Sequence, residues 1–266
     1  RAWVLGDLRL PHVRGPMARA AVLGRLNWRL GEVAELIDET PSVRSIVLDV
    51  ADWPGHRAGQ HVDVRLTAED GYQAQRSFSI ASVPEDPRVS ITVERLPNGE
   101  VSSYLVGELR AGDQLELRGP IGGYFVWEAQ MGGPLLLVGG GSGIVPLMSM
   151  LRHREASGAS VGARLVYSSR SWEDIIYRDE LERIAAGANG LQVFHTLTRS
   201  QPEGWTGYAR RVDGAMLSET AWPASSAPMA FVCGPTPFVE SVASSLVLLG
   251  YPATSVKTER FGPTGG

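Results

Sequence analysis

Three consecutive glycines separate two apolar runs in LLLVGGGSGIVPLMSMLRH, residues 135–153. An apolar strand, a glycine loop and a helix with Pro146 in its first turn would account for every residue of this stretch. Glycine lets the backbone approach a phosphate, and the N-terminus of the following helix attracts negative charge. The stretch therefore predicts a phosphate-binding loop, with a tight turn that binds nothing as the alternative. It differs from the GxGxxG fingerprint at Pro146 and from the GxSxG nucleophile turn at Ile144.

The same region raises the question of a membrane span, because no charged side chain occurs from Ala129 to Leu151. About 20 apolar residues are enough to cross a bilayer. This stretch, however, contains six glycines and two prolines. Each glycine costs roughly 1 kcal/mol and each proline about 3 kcal/mol in a helix interior, relative to alanine. The composition therefore favours a buried strand followed by a helix.

Two upstream motifs combine side chains that suit a bound nucleotide. RSFS, residues 76–79, supplies a cation for a phosphate, an aromatic ring for stacking and hydroxyls for hydrogen bonds. Period-two alternation places Arg76 and Phe78 on one face of a strand and Ser77 and Ser79 on the other. GEVSSYL, residues 99–105, puts a turn glycine and two hydroxyls at a helix start, which predicts an anion site. A surface arginine and a core phenylalanine are the alternative for RSFS taken alone.

A fourth motif, CGPTPF at residues 233–238, follows an apolar strand. Ligands of parallel sheets bind beyond the carboxyl ends of the strands, and Cys233 lies at such an end. A lone cysteine is more often a small buried hydrophobe. Further on, VKTERF predicts another strand, which ends with Glu259, Arg260 and Phe261.

Two patterns of hydrophobic periodicity divide the chain into two halves, whose strands and helices must position these motifs. Residues 27–126 alternate at period two, as in HVDVRL (61–66), and predict an antiparallel β-barrel or sandwich with one helix at 101–109. The second half alternates apolar strands with helices, which predicts a parallel sheet of five strands with helices on both faces. Its first four strands are predicted at 134–139, 162–168, 191–197 and 228–233, and its helices at 145–154, 177–186 and 237–249. We expect an N-terminal extension (1–26), a barrel domain (27–126) and an α/β domain (133–262).

Composition narrows the classes of function. Apolar residues make up 43% and charged residues 20% of the chain, and the net charge of −4 gives no global reason to expect nucleic acid or a membrane surface as a partner. Residues 1–29 form a basic patch, for which a solvated tail is the simpler interpretation. The one cysteine excludes a disulfide and a cysteine-held zinc or iron–sulfur site within these 266 residues, which is compatible with the cytoplasm. The five histidines show no ligand pairing, so no metal site is expected.

The motifs in their order resemble the ferredoxin–NADP reductase superfamily. The resemblance covers roughly residues 29–262 and is closest to the reductase modules that serve oxygenases. It is carried by RSFS, GEVSSYL, GPIGGYF (119–125), GGGSGIVP, CGPTPF and the TERF ending. It implies a FAD-binding antiparallel β-barrel followed by a nicotinamide-nucleotide α/β domain.

The resemblance also implies residue roles on the flavin side. Arg76 would hold the flavin pyrophosphate, and Phe78 would stack on the isoalloxazine, where the family usually has tyrosine. Ser79 would lie near flavin N5, and Ser77 would also belong to the flavin-binding site. The pyrophosphate site at the helix start would comprise Gly99, Val101, Ser102 and Ser103.

On the nicotinamide side, the resemblance implies that Gly141, Gly143 and Pro146 cradle the NAD(P) pyrophosphate. Cys233, with Gly234 and Pro235 beside it, would line the nicotinamide site. Glu259 would be its polar partner and Phe261 would shield the flavin face, although some relatives end on this aromatic and here five residues follow it. The expected catalytic set is therefore Ser79, Cys233, Glu259 and Phe261.

The type of nucleotide depends on the strand that ends in YSSRS (167–171). This strand end carries no Asp or Glu to hold a ribose 2′-hydroxyl, whereas Arg170 would meet a 2′-phosphate with help from Ser169 and Arg199. We therefore expect NADPH to be preferred over NADH. Solvated surface arginines are the alternative.

Together these features predict a flavin-dependent NAD(P)H oxidoreductase that passes hydride to FAD and then single electrons to a partner. With one cysteine and no spare length for a ferredoxin domain, we expect a separate acceptor in the cytoplasm, namely a ferredoxin, a haem protein or an oxygenase component. One alternative is a reductase of free flavin, ferric or quinone acceptors. Another is a non-catalytic flavin- or nucleotide-binding module of a larger complex.

Overall fold

The computed structural model describes residues 26–187 and 190–262, so all but the last residue of the predicted N-terminal extension (1–26), and most of the basic patch, lie outside the described residues. The first half folds as a six-stranded antiparallel sheet and the second as a five-stranded parallel sheet. The predicted fold, an antiparallel barrel followed by an α/β domain, is confirmed.

The antiparallel sheet has the strand order β4-β3-β6-β1-β2-β5, and a bridge between Ile80 and Ile91 joins its two edges into a barrel. Its strands are β1 (Trp28–Thr40), β2 (Val43–Val50), β3 (His61–Thr67), β4 (Gln73–Ser79), β5 (Val89–Glu94) and β6 (Gln114–Ile121), with helix α1 (Glu100–Gly107) after β5. Alternation fills the interior, because Val62 and Val64 are fully buried while the neighbouring Arg65 reaches the surface. Helix α1 begins and ends earlier than the predicted 101–109.

The parallel sheet has the order β11-β10-β7-β8-β9. Its elements are β7 (Leu135–Gly140), α2 (Ile144–Ala156), β8 (Ala163–Ser169), α3 (Arg178–Ala186), β9 (Leu191–Leu197), α4 (Gly214–Thr220), β10 (Met229–Pro235), α5 (Thr236–Leu248) and β11 (Val256–Phe261). Every residue of β7 is buried, as expected of a central strand covered on both faces. The sequence did not predict α4, since its seven residues are too few for a helical period to show.

The two domains pack against each other through hydrogen bonds as well as apolar contacts. Ser149 on α2 donates to Ser82 O of the barrel (2.8 Å), and Lys257 on β11 donates to Val126 O (3.5 Å). Among the described residues, no helix is long and apolar enough to cross a bilayer. The uncharged stretch around β7 is therefore the buried strand and helix that its composition favoured.

Candidate functional site

A cleft of about 200 Å³ opens at the carboxyl edge of the parallel sheet, where β7, β8 and β10 end. Strand β7 has β8 on one side and β10 on the other, so the crossovers change direction beside it. Ligands bind at this position in open α/β sheets. The barrel contributes Thr40, Ser42 and Glu94 to the opposite wall. The cleft is therefore a site between the two domains.

The glycine loop forms the floor of this cleft, and glycine is favoured by lack of space at Gly143 and by backbone conformation at Gly141. A Cβ atom on Gly143 would lie 2.1 Å from Cys233 O, so only glycine lets the loop pass so close to β10. Gly141 has a φ of +55°, which glycine adopts at little cost. Ser142 donates a hydrogen bond of 2.8 Å to Glu94 Oε2 of the barrel. Pro146 is buried in the first turn of α2, where it supports the loop from behind.

Ser169, the last residue of β8, and Arg170, which follows it, both line the cleft. Arg199 lies beside it, exposed, and its backbone N–H donates to Arg170 O (2.8 Å). Asp174 also lines the cleft and accepts a hydrogen bond from Ser171 Oγ (2.9 Å). YSSRS itself contains no acidic residue, but the loop that follows it brings Asp174 into the same cleft. Its proximity in sequence to YSSRS was the signal that could have found it.

The RSFS strand presents its residues as alternation requires. Ser77 donates to Asp63 Oδ1 (2.6 Å), on the sheet face where Arg118 also pairs with Asp63 Oδ2 (2.7 Å). Arg76 is exposed, and its Nη1 donates to Gln75 O (2.6 Å). Phe78 is partly buried and packs against the barrel core. The structure thus leaves Arg76 accessible to a ligand, whereas the hydroxyl of Ser77 is bonded to a carboxylate.

The start of α1 is a tight turn in which Gly99 lies close to Ser102. A Cβ atom on Gly99 would lie 2.4 Å from Ser102 Oγ. The Ser102 side chain is 7% exposed, and its hydroxyl bonds to Gly99 O and to the N–H of Leu96. Its hydroxyl therefore braces the turn, and an anion at this helix start would meet the unpaired first-turn N–H groups of Val101 and Ser102. Ser103 is half-buried, and its N–H donates to Gly99 O (2.9 Å).

Four residues from four strands lie close together where the two domains touch. Ser79 on β4 is the register partner of His61 on β3, and Cys233 on β10 is the partner of Glu259 on β11. His61 Nδ1 lies 3.8 Å from Glu259 Oε1, which joins the two pairs across the domain boundary. Sequence reasoning missed His61, since its position opposite Ser79 depends on strand register.

Burial changes the ionisation of these groups. Desolvation raises the pKa of Glu259 to about 7, and its Oε2 atom is buried without a hydrogen-bond partner among the described residues. Burial, and secondarily the charge of Glu259, raises the pKa of the Cys233 thiol, so the thiol stays protonated. Burial lowers the pKa of His61, against the opposing effect of Asp63. The cluster therefore holds one carboxyl group that can exchange a proton near neutral pH.

The end of β11 closes the cleft. Phe261 is 36% exposed, pairs in register with Pro235 and lines the cleft. Gly234 is buried, and a Cβ atom there would lie 2.8 Å from the Phe238 ring. The predicted set of Cys233, Glu259 and Phe261 is thus gathered on two adjacent strands.

Comparisons with known proteins agree with this geometry. The family described as "Oxidoreductase FAD-binding domain" matches residues 33–126, and "Oxidoreductase NAD-binding domain" matches residues 137–244. The chain is 35% identical to ferredoxin–NADP reductase B of Sorangium cellulosum, over 84% of this chain and 93% of that protein. The chain belongs to the ferredoxin–NADP reductase superfamily.

Two further relatives extend the comparison within this superfamily. The glycine betaine monooxygenase reductase subunit of Chromohalobacter salexigens is 35% identical over 91% of the chain, which spans 65% of that subunit. The flavohaem-like FAD/NAD-binding domain of nitric oxide dioxygenase from Vibrio cholerae has a TM-score of 0.78 at 25% identity, over 88% of this chain and 99% of that domain. The chain therefore spans less than two thirds of the monooxygenase reductase subunit.

The residues present fit the two groups that the superfamily binds. On the nucleotide side, the buried Ser169 Oγ has no partner among the described residues and lines the cleft. The unpartnered Glu259 Oε2 offers a second acceptor at the domain boundary. On the barrel side, the exposed Arg76 guanidinium, the Phe78 ring and the Gly99 turn supply a cation, a stacking surface and free N–H groups. FAD and a pyridine nucleotide are therefore the ligands of this fold.

Proposed function

We propose that this chain is a FAD-dependent NAD(P)H reductase that delivers electrons to a redox partner. The observation that supports it most strongly is the meeting of Ser79, His61, Glu259 and Cys233 between the RSFS strand and the glycine cleft. A pyridine nucleotide in the cleft would bring its reactive end to the barrel there. The proposal includes the division into a flavin domain (27–126) and a nucleotide domain (133–262).

Together, a bound pyridine nucleotide and FAD would supply hydride transfer from nicotinamide C4 to flavin N5 and the subsequent release of single electrons to the acceptor. The residues of this chain bind, orient and exclude water. Arg76 and the N–H groups at the start of α1 hold the flavin pyrophosphate, and Gly141 with Gly143 lets the other pyrophosphate approach α2. Phe78 supplies the stacking surface.

The four residues at the domain boundary act on the reacting ends. Ser79 orients the flavin N5 edge by a hydrogen bond. Cys233 presents a small, uncharged wall to the nicotinamide, because its thiol stays protonated. Glu259 accepts or releases a proton near neutral pH, with His61 as its neighbour. Phe261 covers the flavin face until the nicotinamide enters.

The acceptor that we propose is a ferredoxin, a haem protein or an oxygenase component with an acidic docking face. Relatives named as monooxygenase reductase subunits and as a ferredoxin–NADP reductase support this class. Around the exposed Tyr124, Arg57 lies 3.5 Å from a Cβ built on Gly123 and Lys257 lies 5.9 Å from the Tyr124 ring centroid. These cations, with the arginines of residues 1–29, would attract an acidic partner. We place this reaction in the cytoplasm, since the one cysteine of the chain is a free, buried thiol.

Salt concentration tests the docking. The rate of reduction of an acidic ferredoxin should fall steeply with ionic strength, whereas the rate with ferricyanide should change much less. Turnover with small acceptors and with no protein acceptor would favour the alternative, a reductase of free flavin, ferric or quinone compounds.

An anaerobic titration of the purified protein with NADPH and with NADH tests the reductase itself. The protein should contain or take up FAD, and its visible absorbance should bleach with one equivalent of nucleotide. A protein that binds neither group would overturn the proposal. Binding of both groups without bleaching would instead support the non-catalytic module.

A further inference from the structure

Helix α2 connects the nucleotide cleft to the segment that follows the RSFS strand. Its first turn adjoins the glycine loop, and from its middle to its last turns it carries Ser149, Arg152 and His153 on one face. Each of these side chains bonds to the barrel segment that begins two residues after Ser79. Ser149 donates to Ser82 O (2.8 Å), Arg152 donates to Ala81 O (2.6 Å) and His153 pairs with Glu85 (2.7 Å).

Arg152 joins three parts of the molecule at once. Besides Ala81 O, its guanidinium forms a bidentate pair with Glu180 on α3 (3.0 and 2.6 Å) and stacks 4.8 Å above the Tyr177 ring. Its side chain is 22% exposed and Ala81 is fully buried, so water cannot easily replace the bond to Ala81 O. The planar fork of arginine suits this arrangement, because it donates along several fixed directions.

A chain of hydrogen bonds also runs into the barrel from Tyr177, the residue on which Arg152 stacks. The Tyr177 hydroxyl bonds to Thr92 Oγ1 (2.5 Å), which bonds to Ser45 Oγ (2.7 Å), and Ser45 donates to Glu39 (2.6 Å). These three side chains are buried, with exposed fractions of 4% for Tyr177, 5% for Thr92 and 4% for Ser45. A buried hydrogen-bond network of this kind fixes geometry, since each of its members loses a partner if the domains slide.

We propose that Arg152 is a positioning residue for hydride transfer, which sets the distance between the nucleotide held by α2 and the flavin held by RSFS. The inference rests on the proposed function. It follows from the mechanical connection, because Ala81 lies two residues from Ser79 and α2 begins at the nucleotide loop. Hydride transfer is steeply sensitive to the distance between donor and acceptor, and a displacement of about 1 Å can cost 10²-fold in rate.

The test compares Arg152→Ala and Arg152→Lys with the matched control Arg183→Ala. Arg183 also pairs with Glu180, at 3.8 Å, but is 60% exposed, and its two ion pairs lie within the α/β domain. Stopped-flow reduction at saturating nucleotide should slow by about tenfold to 100-fold in Arg152→Ala and by less in Arg152→Lys, while the nucleotide Kd changes by less than about threefold. Arg183→Ala should reduce at the wild-type rate.

Two readouts separate positioning from folding and from activity. Without either cofactor, Arg152→Ala should exchange its backbone amides faster in residues 80–90 and 144–156, with the barrel strands β1 and β6 unchanged. The charge-transfer absorbance of the nucleotide–flavin complex should weaken. If Arg152→Ala proves unstable, Tyr177→Phe removes only the hydroxyl that bonds to Thr92 and should slow reduction in the same direction.

Three outcomes would overturn the proposal. These are wild-type reduction by a stable Arg152→Ala protein, a loss that lies wholly in nucleotide Kd or flavin content, and an equal loss in Arg183→Ala. Wild-type protein that no nucleotide reduces would instead refute the proposed function, so the two failures are distinguishable.

Discussion

Glu259 carries a carboxyl group that the fold holds where water is scarce. Its Oε2 atom is buried without a partner among the described residues, and burial raises its pKa to about 7. Because the folded-state pKa lies above the unfolded value, burial of this carboxyl group costs no stability below about pH 4.5, an increasing amount between pH 4.5 and about 7, and the full amount above that. An increase in pKa from the usual 4.5 to about 7 corresponds to about 3 kcal/mol. The burial of Glu259 therefore lowers the stability of the protein at alkaline pH, while it keeps a carboxyl group where the nicotinamide and the flavin are proposed to react.

Glu259→Gln should remove this cost. We expect the variant to be more stable than wild type by up to about 3 kcal/mol near pH 8.5, and to match it near pH 4.5. Urea unfolding at both pH values would measure the difference. The rate of flavin reduction should fall at the same time. A stability difference that does not depend on pH would contradict the buried-carboxylate explanation.

Arg170 and Asp174 carry opposite charges into the part of the cleft that a ribose 2′ group would reach. Arg170→Ala should lower the NADPH-to-NADH ratio of kcat/KM, because it removes a cation that a 2′-phosphate would pair with. Asp174→Asn should raise the same ratio, since it removes a like charge. We expect shifts of about tenfold each. The preference of the wild type for NADPH remains a prediction, based on Arg170 and Arg199.

The control for this pair is Arg178→Ala, which removes an arginine of α3 that stacks on Trp172 and pairs with Asp179, outside the cleft lining. Its ratio should equal that of the wild type. An unchanged ratio in both cleft variants would show that neither side chain meets the 2′ group.

Among the elements, the turn from β7 into α2 is limited by space. A Cβ atom on Gly143 would lie 2.1 Å from Cys233 O and 2.8 Å from the N of Gly234, both of which are backbone atoms that cannot move aside alone. The motif was visible in the sequence as a glycine loop, but the reason for Gly143 is the approach of β10. This reason concerns a strand that lies 90 residues further along the chain, and no local pattern reveals it.

Gly143→Ala should therefore separate the loop from β10. We expect the Tm to fall by at least about 5 °C and nucleotide binding to weaken by more than tenfold. Gly107→Ala is the matched control, because nothing lies within 4 Å of a Cβ atom built there. Calorimetry and nucleotide titration of both variants would measure the effects. Equal behaviour of the two variants would contradict the steric argument.

The whole molecule is joined by a polar interface as well as by apolar packing. Ser149 is fully buried, and its hydroxyl bonds to Ser82 O of the other domain. Met150 packs beside Gly59, where a Cβ atom would lie 2.7 Å from the methionine Cε. Separating the domains would leave buried hydrogen-bonding groups without partners, at about 1–3 kcal/mol for each group.

The two domains should accordingly unfold together. Differential scanning calorimetry of the protein should give one transition, and Arg152→Ala should broaden or divide it. Two well-separated transitions in the wild type would mean that each domain is stable alone and that the interface contributes little.

Much of the site was predictable from local sequence, and the remainder depended on register and packing. RSFS, the glycine loop and CGPTPF were each recognisable because they follow strands and contain residues with special backbone or charge properties. His61 was not, since it becomes relevant only as the partner of Ser79 across β3 and β4. The sequence predicted that the Ser102 hydroxyl binds a ligand. In the structure this hydroxyl donates to Gly99 O and accepts from the N–H of Leu96, within the turn before α1.

The order of the two halves, the antiparallel and parallel character of the sheets and the positions of the glycine turns were all readable from the sequence. These properties follow from periodicity, glycine and proline, which act over a few residues. Only the tertiary structure decided which side chains meet, such as His61 with Glu259 and Arg152 with Ala81. It also decided the pKa of Glu259, because desolvation depends on what packs around a group from distant parts of the chain.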